Sequence, residues 1–296
     1  MYQTILTYDV IEWAYYWQII SMKKYAPSNY DISISKLKPI TPIISNKDLI
    51  FITEFPRLIE LYKSNFLSKK TTVVGYFSVG WGHYLDWLEK IIKVCPHIVI
   101  NNYECWNKFG RRFGTTYIPN GVDLDIFKIT KPINIRKPKV IWIGSTQFHR
   151  CKNYHTILLP LKQKLMKHGI DCEFISTTEQ GRVFTRQQLC EWYNDATVYC
   201  CASSTEGTPN PALEAAACGC AVVSTRVGNM PELIQDGYNG YLCHTDIDDL
   251  FDKCIKAVDD VQLNYNMQNE ILKWQWKDRT LDYFNYFDSC IKEDRC

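Results

Sequence analysis

Glu206-Gly207-Thr208-Pro209-Asn210-Pro211-Ala212-Leu213-Glu214 follows the apolar run Ala196 to Ala202 and opens a helix-forming stretch that ends at Gly219. The segment reads as strand, tight loop and helix N-terminus. Pro209 or Pro211 suits the first helical turn, where a missing N–H costs nothing, and Gly207 lets backbone approach a ligand closely. The free N–H groups expected from Thr208 to Ala212 would face an anion. Glu206 and Glu214, eight positions apart, are placed to accept hydrogen bonds from hydroxyls. Phosphate beside polyhydroxyl describes a nucleotide-sugar. On chemistry alone, a capped structural helix with two solvated carboxylates fits equally well.

On either side of this segment the chain alternates Val/Ile-rich runs with helical stretches, the pattern of a parallel sheet covered on both faces. In the first half, strands are expected at Thr4–Val10, Ile32–Leu37, Leu49–Phe55, Thr72–Phe77 and His97–Asn101. Helices are expected at Glu12–Lys24, Pro56–Leu67, His83–Val94 and Tyr103–Phe113. Tyr117 to Asp123 reads as a last short strand and a turn, with the Asn120-Gly121 pair demanding positive φ. Lys128 to Pro138, with two prolines and little periodicity, reads as a linker. Beyond it, strands are expected at Lys139–Ile143, Cys172–Ser176, Ala196–Ala202, Ala221–Ser224 and Gly240–Cys243. The helices between and after them are Tyr154–His168, Thr185–Tyr193, Pro209–Cys218, Pro231–Gln235 and Asp246–Ala257, and a long polar-aromatic helix carrying Trp274, Trp276, Tyr283, Phe284 and Phe287 closes the chain. Two doubly wound units follow from this pattern, with ligands at the carboxyl ends of their strands.

Bulk properties narrow the choices. The 296 residues suffice for two domains, and 46% aliphatic, aromatic and Cys content argues against disorder. A net charge of +2, spread as +4 over residues 1–128 and −2 over the rest, gives no basis for nucleic-acid binding. No G-x-G-x-x-G follows an expected strand, which disfavours a nicotinamide dehydrogenase. The 13 cysteines form no C-x-x-C pair and read as buried free thiols in a reducing cytoplasm. No run reaches the length of a membrane span and no signal sequence is evident, so a cytoplasmic protein is expected.

Ser203 to Gly219, with Val227-Gly228-Asn229-Met230-Pro231-Glu232-Leu233-Ile234 and Asp236-Gly237-Tyr238-Asn239-Gly240 after it, resembles family 4 of the retaining glycosyltransferases. Ile118-Pro119-Asn120-Gly121-Val122-Asp123, ending in Phe127, is similar to that family's interdomain signature. The resemblance covers most of residues 117–290 and implies the α/β GT-B fold, two Rossmann-like domains facing across a cleft. An acceptor-side domain would span 1–128, a nucleotide-sugar domain 129–274, and a C-terminal helix, 275–296, would cross back to the first domain.

The resemblance also implies roles. Glu206 would hold the sugar's hydroxyls, Glu214 the ribose, and Lys152 with the helix N-terminus the pyrophosphate, so that Glu206 and Lys152 are the catalytic candidates. Donor contacts are expected from Gly144, Ser145, Arg150, Arg182, Val183, Gly207, Thr208, Pro209, Asn210, Pro211, Ala212, Leu213 and Glu214. Ser145 stands where Arg is usual in the family, leaving Arg150 as a substitute cation; Arg182 and Val183 would wall the nucleobase. Asp9, Trp13, Tyr76 and His83 are the acceptor-side candidates, with no His where the family commonly has one after Thr72–Phe77. No metal or other cofactor is implied; the partner is a nucleoside diphosphate sugar, with a glycan, lipid or protein acceptor. The stripe Trp13, Tyr16, Trp17, Ile20 and Lys24 fits a core face best, with contact to a membrane surface or an acceptor sugar as the alternative. The rival functions are a sugar-nucleotide-binding protein without catalysis, motivated by the missing Arg and His, and another enzyme of the same architecture such as a sugar-nucleotide epimerase.

Overall fold

A computed structural model describes residues 1–8, 10–11, 14–36, 46–63, 70–78, 84–146, 149–181 and 184–295. The chain divides into two compact units: Met1–Gly121 with Trp276–Cys296, and Val122–Gln275.

The first unit has six parallel strands: β1 (Tyr2–Tyr8), β2 (Tyr30–Lys36), β3 (Leu49–Ile52), β4 (Thr72–Phe77), β5 (His97–Ile100) and β6 (Thr116–Tyr117). Their order is β2-β1-β3-β4-β5-β6, every pairing parallel. Side chains alternate across the sheet, as a period of two requires. Leu6, Phe51, Val74, Tyr76 and Val99 pack on one face, and Ile5, Ile50, Ile52, Val73, Phe77, Ile98 and Ile100 on the other. Between the strands run α1 (Ala14–Lys24), α2 (Phe55–Lys63), α3 (Tyr84–Ile92) and α4 (Tyr103–Cys105). The helix expected over Tyr103–Phe113 is broken, continuing from α4 as a π turn to Gly110 and a 3-10 turn to Phe113. Gly110 is the weak point of that stretch as a helix former.

Helix α1 turns a different face inward from the one the aromatic stripe suggested. Gln18, Ile19, Ser21 and Met22 are buried, while Tyr16, Trp17 and Ile20 are half-buried. The inward face runs Gln18, Ile19 and Met22, one position round from the stripe, and Tyr16 meets Tyr8 of β1 edge-on at 5.1 Å. Gly121 is not among the glycines with positive φ. The Asn120-Gly121 pair is no hairpin turn, since Asn120 is buried with its Oδ1 accepting from the Tyr76 hydroxyl at 2.8 Å.

The second unit's strands are β7 (Lys139–Gly144), β8 (Asp171–Ser176), β9 (Val198–Cys201), β10 (Ala221–Thr225) and β11 (Gly240–Cys243), in the order β11-β10-β9-β7-β8, again all parallel. Its helices are α5 (His149–Lys152), α6 (Leu159–Lys167), α7 (Arg186–Asn194), α8 (Asn210–Ala217), α9 (Met230–Leu233), α10 (Ile247–Asp259) and α11 (Val261–Ile271). A π turn, Tyr154–Leu158, opens what reads in sequence as one helix to His168. Pro160 has no N–H to continue a regular ladder there. A capping box built on Thr185 and Gln188 starts α7. Helix α11 has no counterpart in the sequence reading. Its buried Asn264 donates to the carbonyls of Thr197 (2.6 Å) and Gly219 (2.9 Å), a tertiary reward that local propensity does not show.

Lys128 to Pro138 is not a loose linker. Ile133 and Arg136 are buried, and the Arg136 guanidinium donates to the carbonyls of Lys131 and Ala196 and to Asn194 Oδ1. These contacts draw the segment, and residues 122–127 before it, into the second unit. Where the chain enters and leaves this unit, Val122 N–H donates to the Trp274 carbonyl at 2.8 Å. The last helix, α12 (Trp276–Arg295), belongs to the first unit and buries Trp276, Tyr283, Phe284, Phe287 and Ile291 against its sheet. Polar ties reinforce it: Tyr30 Oη to Asp288 at 2.7 Å, His97 Nε2 to Asp294 at 2.9 Å, and Arg295 to Asp48 at 2.5 Å. No described helix is long and apolar enough to cross a membrane, and the cysteines among the described residues are free thiols, all but Cys151 buried.

Candidate active site

The order β11-β10-β9-β7-β8 places a topological switch point between β7 and β9, which pair directly. Loops leaving the carboxyl ends of these two strands run to opposite faces of the sheet and open a crevice between them. The loop after β7 leads to Lys152, and the loop after β9 leads to Glu206. Fifty-four positions apart in sequence, they meet in the fold: Lys152 Nζ donates to Glu206 Oε1 in a short ion pair. The side chains are 24% and 12% exposed, enough shielding for the pair to outweigh an ordinary surface bridge. Burial pulls the Lys152 ammonium down, but the charge and hydrogen bond of Glu206 outweigh it, and its pKa lies above the usual lysine value. Lys152 is a firm cation.

Both loops are tied together by backbone. Ser204 N–H donates to the Cys151 carbonyl at 2.7 Å, and Asn153 Nδ2 to the Ala202 carbonyl at 2.8 Å, with Asn153 itself in the left-handed region at φ 53°. On the β9 side, Ser203 Oγ donates to Glu206 Oε1 at 2.8 Å.

Gly144 ends β7, and its carbonyl accepts from Thr177 N–H at 3.0 Å. Ser145 Oγ lies 2.8 Å from Thr178 Oγ1, so the position that is Arg in the resembling family carries a neutral hydroxyl engaged with the loop after β8. Arg150 lies in α5, but its side chain, like Arg182 and Val183, falls outside the described residues.

Around the start of α8 the structure corrects the expected row of free N–H groups. Pro209 and Pro211 have none, Asn210 N–H donates to the Thr208 carbonyl at 2.9 Å, and Ala212 N–H to the Pro209 carbonyl at 2.9 Å. Pro209 folds the chain back on itself here with ψ 79°, which consumes donors that a straight helix start would leave open. Gly207 and Thr208 are held from the other side. Gly228, after β10, packs on the Gly207 carbonyl, and Thr208 Oγ1 donates to the buried Asn229 Oδ1 at 2.5 Å. Sequence reasoning gave Asn229 no role; its place in the Val227–Ile234 motif was the signal. Ala212 and Leu213 are buried in the core, and the Leu213 N–H also turns to the Pro209 carbonyl, at 3.4 Å.

Glu214 sits one turn into α8, half-buried, and accepts from the Tyr193 hydroxyl at 3.1 Å. Burial pushes its carboxyl up to about 7, against the opposing pull of Arg186 and the Tyr193 hydrogen bond. In the unfolded chain it ionises near 4.5, so the folded state holds the proton more tightly. Stability tied to this group is therefore full below pH 4.5 and is lost as pH rises through about 7. Glu214→Gln removes this titration. In urea unfolding, the variant should gain on the wild type by on the order of 2 kcal/mol between pH 4.5 and 7, allowing for partial exposure. A stability difference independent of pH would contradict the assignment.

The acceptor-side candidates fare differently. Tyr76 is 2% exposed, inside the first unit's core with its hydroxyl spent on Asn120, so it cannot meet an acceptor. Its alternation with Phe77 turns it inward, onto the face that α12 covers. Asp9, Trp13 and His83 lie outside the described residues. Among the described residues no group of three or more His, Cys, Asp or Glu side chains is arranged to hold a metal ion.

Residues 137–260, most of the second unit, match the family model described as "Glycosyl transferases group 1". A 56-residue stretch is 46% identical to N-acetyl-alpha-D-glucosaminyl L-malate synthase of Bacillus anthracis, covering 19% of this chain and 15% of that protein. The chain thus aligns with only a small part of that curated relative. Likeness in fold extends much further. Sucrose-phosphate synthase from Thermosynechococcus elongatus matches 99% of this chain and 100% of its own, with a TM-score of 0.75 at 12% identity. HepE of Anabaena in complex with UDP matches 98% of this chain and 100% of its own, with a TM-score of 0.72 at 14% identity. The fold is the GT-B arrangement of these solved structures, and residues 137–260 of the second unit match the group 1 family model.

Proposed function

We propose that this protein transfers a sugar from a nucleoside diphosphate sugar to an acceptor hydroxyl, with retention of anomeric configuration and without a metal. The observation that carries the reading is the meeting of Lys152 and Glu206 at the switch point of the second unit, on loops tied to each other by backbone. Support also comes from the group 1 family match over that unit and from the fold of HepE, a protein solved with UDP.

Each residue has a physical task in this scheme. Lys152 neutralises charge that develops on the departing diphosphate, the position where a preorganised cation contributes most. Glu206 accepts hydrogen bonds from the sugar's hydroxyls and orients the anomeric carbon. Glu214, one turn into α8, accepts from the ribose. In the retaining course, the acceptor hydroxyl attacks on the leaving group's face. Its proton passes to the departing phosphate oxygen, so no strong protein base is required.

A thermal-shift screen against UDP, GDP, ADP and their glucose esters tests the donor half. A ligand at about 100 times its Kd adds about 2.7 kcal/mol to the folded state, which raises Tm by roughly 5 °C or more for a chain of this size. Stabilisation by none of them would remove the donor reading. The neutral Ser145 favours a second reading, a protein that binds the donor but transfers poorly. Calorimetric binding without transfer or donor hydrolysis would select it.

A further inference from the structure

Glu206 uses one carboxylate oxygen for two partners. Oε1 accepts both from Lys152 Nζ and from Ser203 Oγ. If Lys152 serves the diphosphate, it must turn from Glu206 when the donor enters. The carboxylate would then lose its charged partner at the moment its orientation matters. An isolated Glu with three side-chain torsions does not hold its aim unassisted, and the remaining partner decides where it points.

That partner is built to stay. Ser203 is 1% exposed, just past the end of β9. Its carbonyl accepts from Thr225 Oγ1 at 2.5 Å, at the end of β10, and Thr225 Oγ1 also reaches the Cys201 carbonyl at 3.4 Å. The Ser203 backbone is thus fixed between two adjacent strands, and its hydroxyl also accepts from the buried Cys201 Sγ at 3.7 Å, whereas Lys152 reaches Glu206 on a flexible four-carbon stem from a short helix.

We propose that Ser203 is a positioning residue: its hydroxyl keeps the Glu206 carboxylate aimed at the sugar when Lys152 exchanges from Glu206 to the diphosphate. The proposal rests on the donor reading above. It adds that sugar recognition and diphosphate recognition are separable at this site, with Ser203 serving only the first. Removing the hydroxyl should leave the nucleoside diphosphate bound as before and cost only the increment that the sugar adds.

The test is calorimetry with the full chain, using the tightest of UDP, GDP and ADP and then its glucose ester. For Ser203→Ala, affinity for the diphosphate should stay within about twofold of wild type, while affinity for the sugar ester falls about tenfold, the size of a lost hydrogen bond to a charged group. Ser203→Cys, close in volume but a weak donor, should fall nearly as far, separating the hydrogen bond from packing. Equal losses for both ligands would make Ser203 merely structural and overturn the proposal. So would unchanged affinity for both, or a wild-type protein that gains nothing from the sugar. A wild type that binds none of the diphosphates fails differently: it removes the donor reading itself.

Discussion

Lys152→Ala is expected to lower donor turnover by about 10²-fold or more, while the protein stays folded. A departing diphosphate concentrates charge in a shielded site, and removal of one preorganised electrostatic contact there typically costs about 10²–10³ in rate. The described surroundings offer little compensation, since Ser145 supplies a hydroxyl where a second cation would stand. Glu206→Gln should fall by at least about tenfold, because it keeps the shape but loses the negative charge that orders hydroxyl donors. The two losses will not add. Lys152 and Glu206 touch, and each single variant strands the other's charge in a partly shielded site. The double variant should therefore be little slower than the worse single one and more stable than either. Steady-state donor hydrolysis and urea unfolding on the four proteins measure both quantities. Near-wild-type turnover in both singles would sink the assignment of roles.

The second unit was more legible than the first, for physical reasons. Its buried strands read as short apolar runs, such as Val140 to Ile143 within Lys139–Gly144, and its loops carry residue types with narrow uses: the glycines, the prolines and two carboxylates at Glu206–Glu214. What the sequence could not reveal there depends on partners distant along the chain. That Lys152 meets Glu206, that Thr208 meets Asn229, and that Asn194 and Arg136 stitch residues 128–138 into the unit are facts of tertiary structure. Helix α11 formed against a composition rich in Asn, because Asn264 caps two carbonyls of neighbouring elements. The row of free N–H groups that the sequence suggests from Thr208 to Ala212 fails for a local reason. The bend at Pro209 turns the N–H groups of Asn210 and Ala212 back onto the chain. In the first unit, alternation identified the strands but not which face α12 would cover. Alternation alone does not place Tyr76; α12 covers its face, and it is core.

Gly228→Ala should severely disrupt the loop after Glu206, because Gly228 packs directly on the Gly207 carbonyl. Gly228 has φ 53°, in the left-handed region, and a Cβ added there would lie 2.5 Å from the Gly207 carbonyl oxygen and 3.0 Å from Pro209 Cδ. The left-handed backbone alone costs about 1–2 kcal/mol for an alanine. The contact adds more, because a backbone oxygen next to a proline ring cannot rotate away as a side chain could. Relief requires the loop after β10 to part from Gly207 and Thr208, which also stretches the Thr208–Asn229 hydrogen bond. Gly237→Ala is the matched control. Its φ is 78°, yet the nearest atom to its added Cβ is Tyr241 Cε1 at 4.0 Å, in a turn away from the donor loops. Both variants should lose stability from backbone strain, Gly237→Ala by about 1 kcal/mol and Gly228→Ala by about 3 kcal/mol or more. Only Gly228→Ala should lose affinity for the nucleoside diphosphate, by an expected tenfold or greater, because only there does relief of the clash move Gly207 and Thr208. Urea unfolding and calorimetry on the pair separate strain from site disruption. Equal affinity in both variants would mean that the Gly207–Gly228 contact supports the fold and leaves the site untouched.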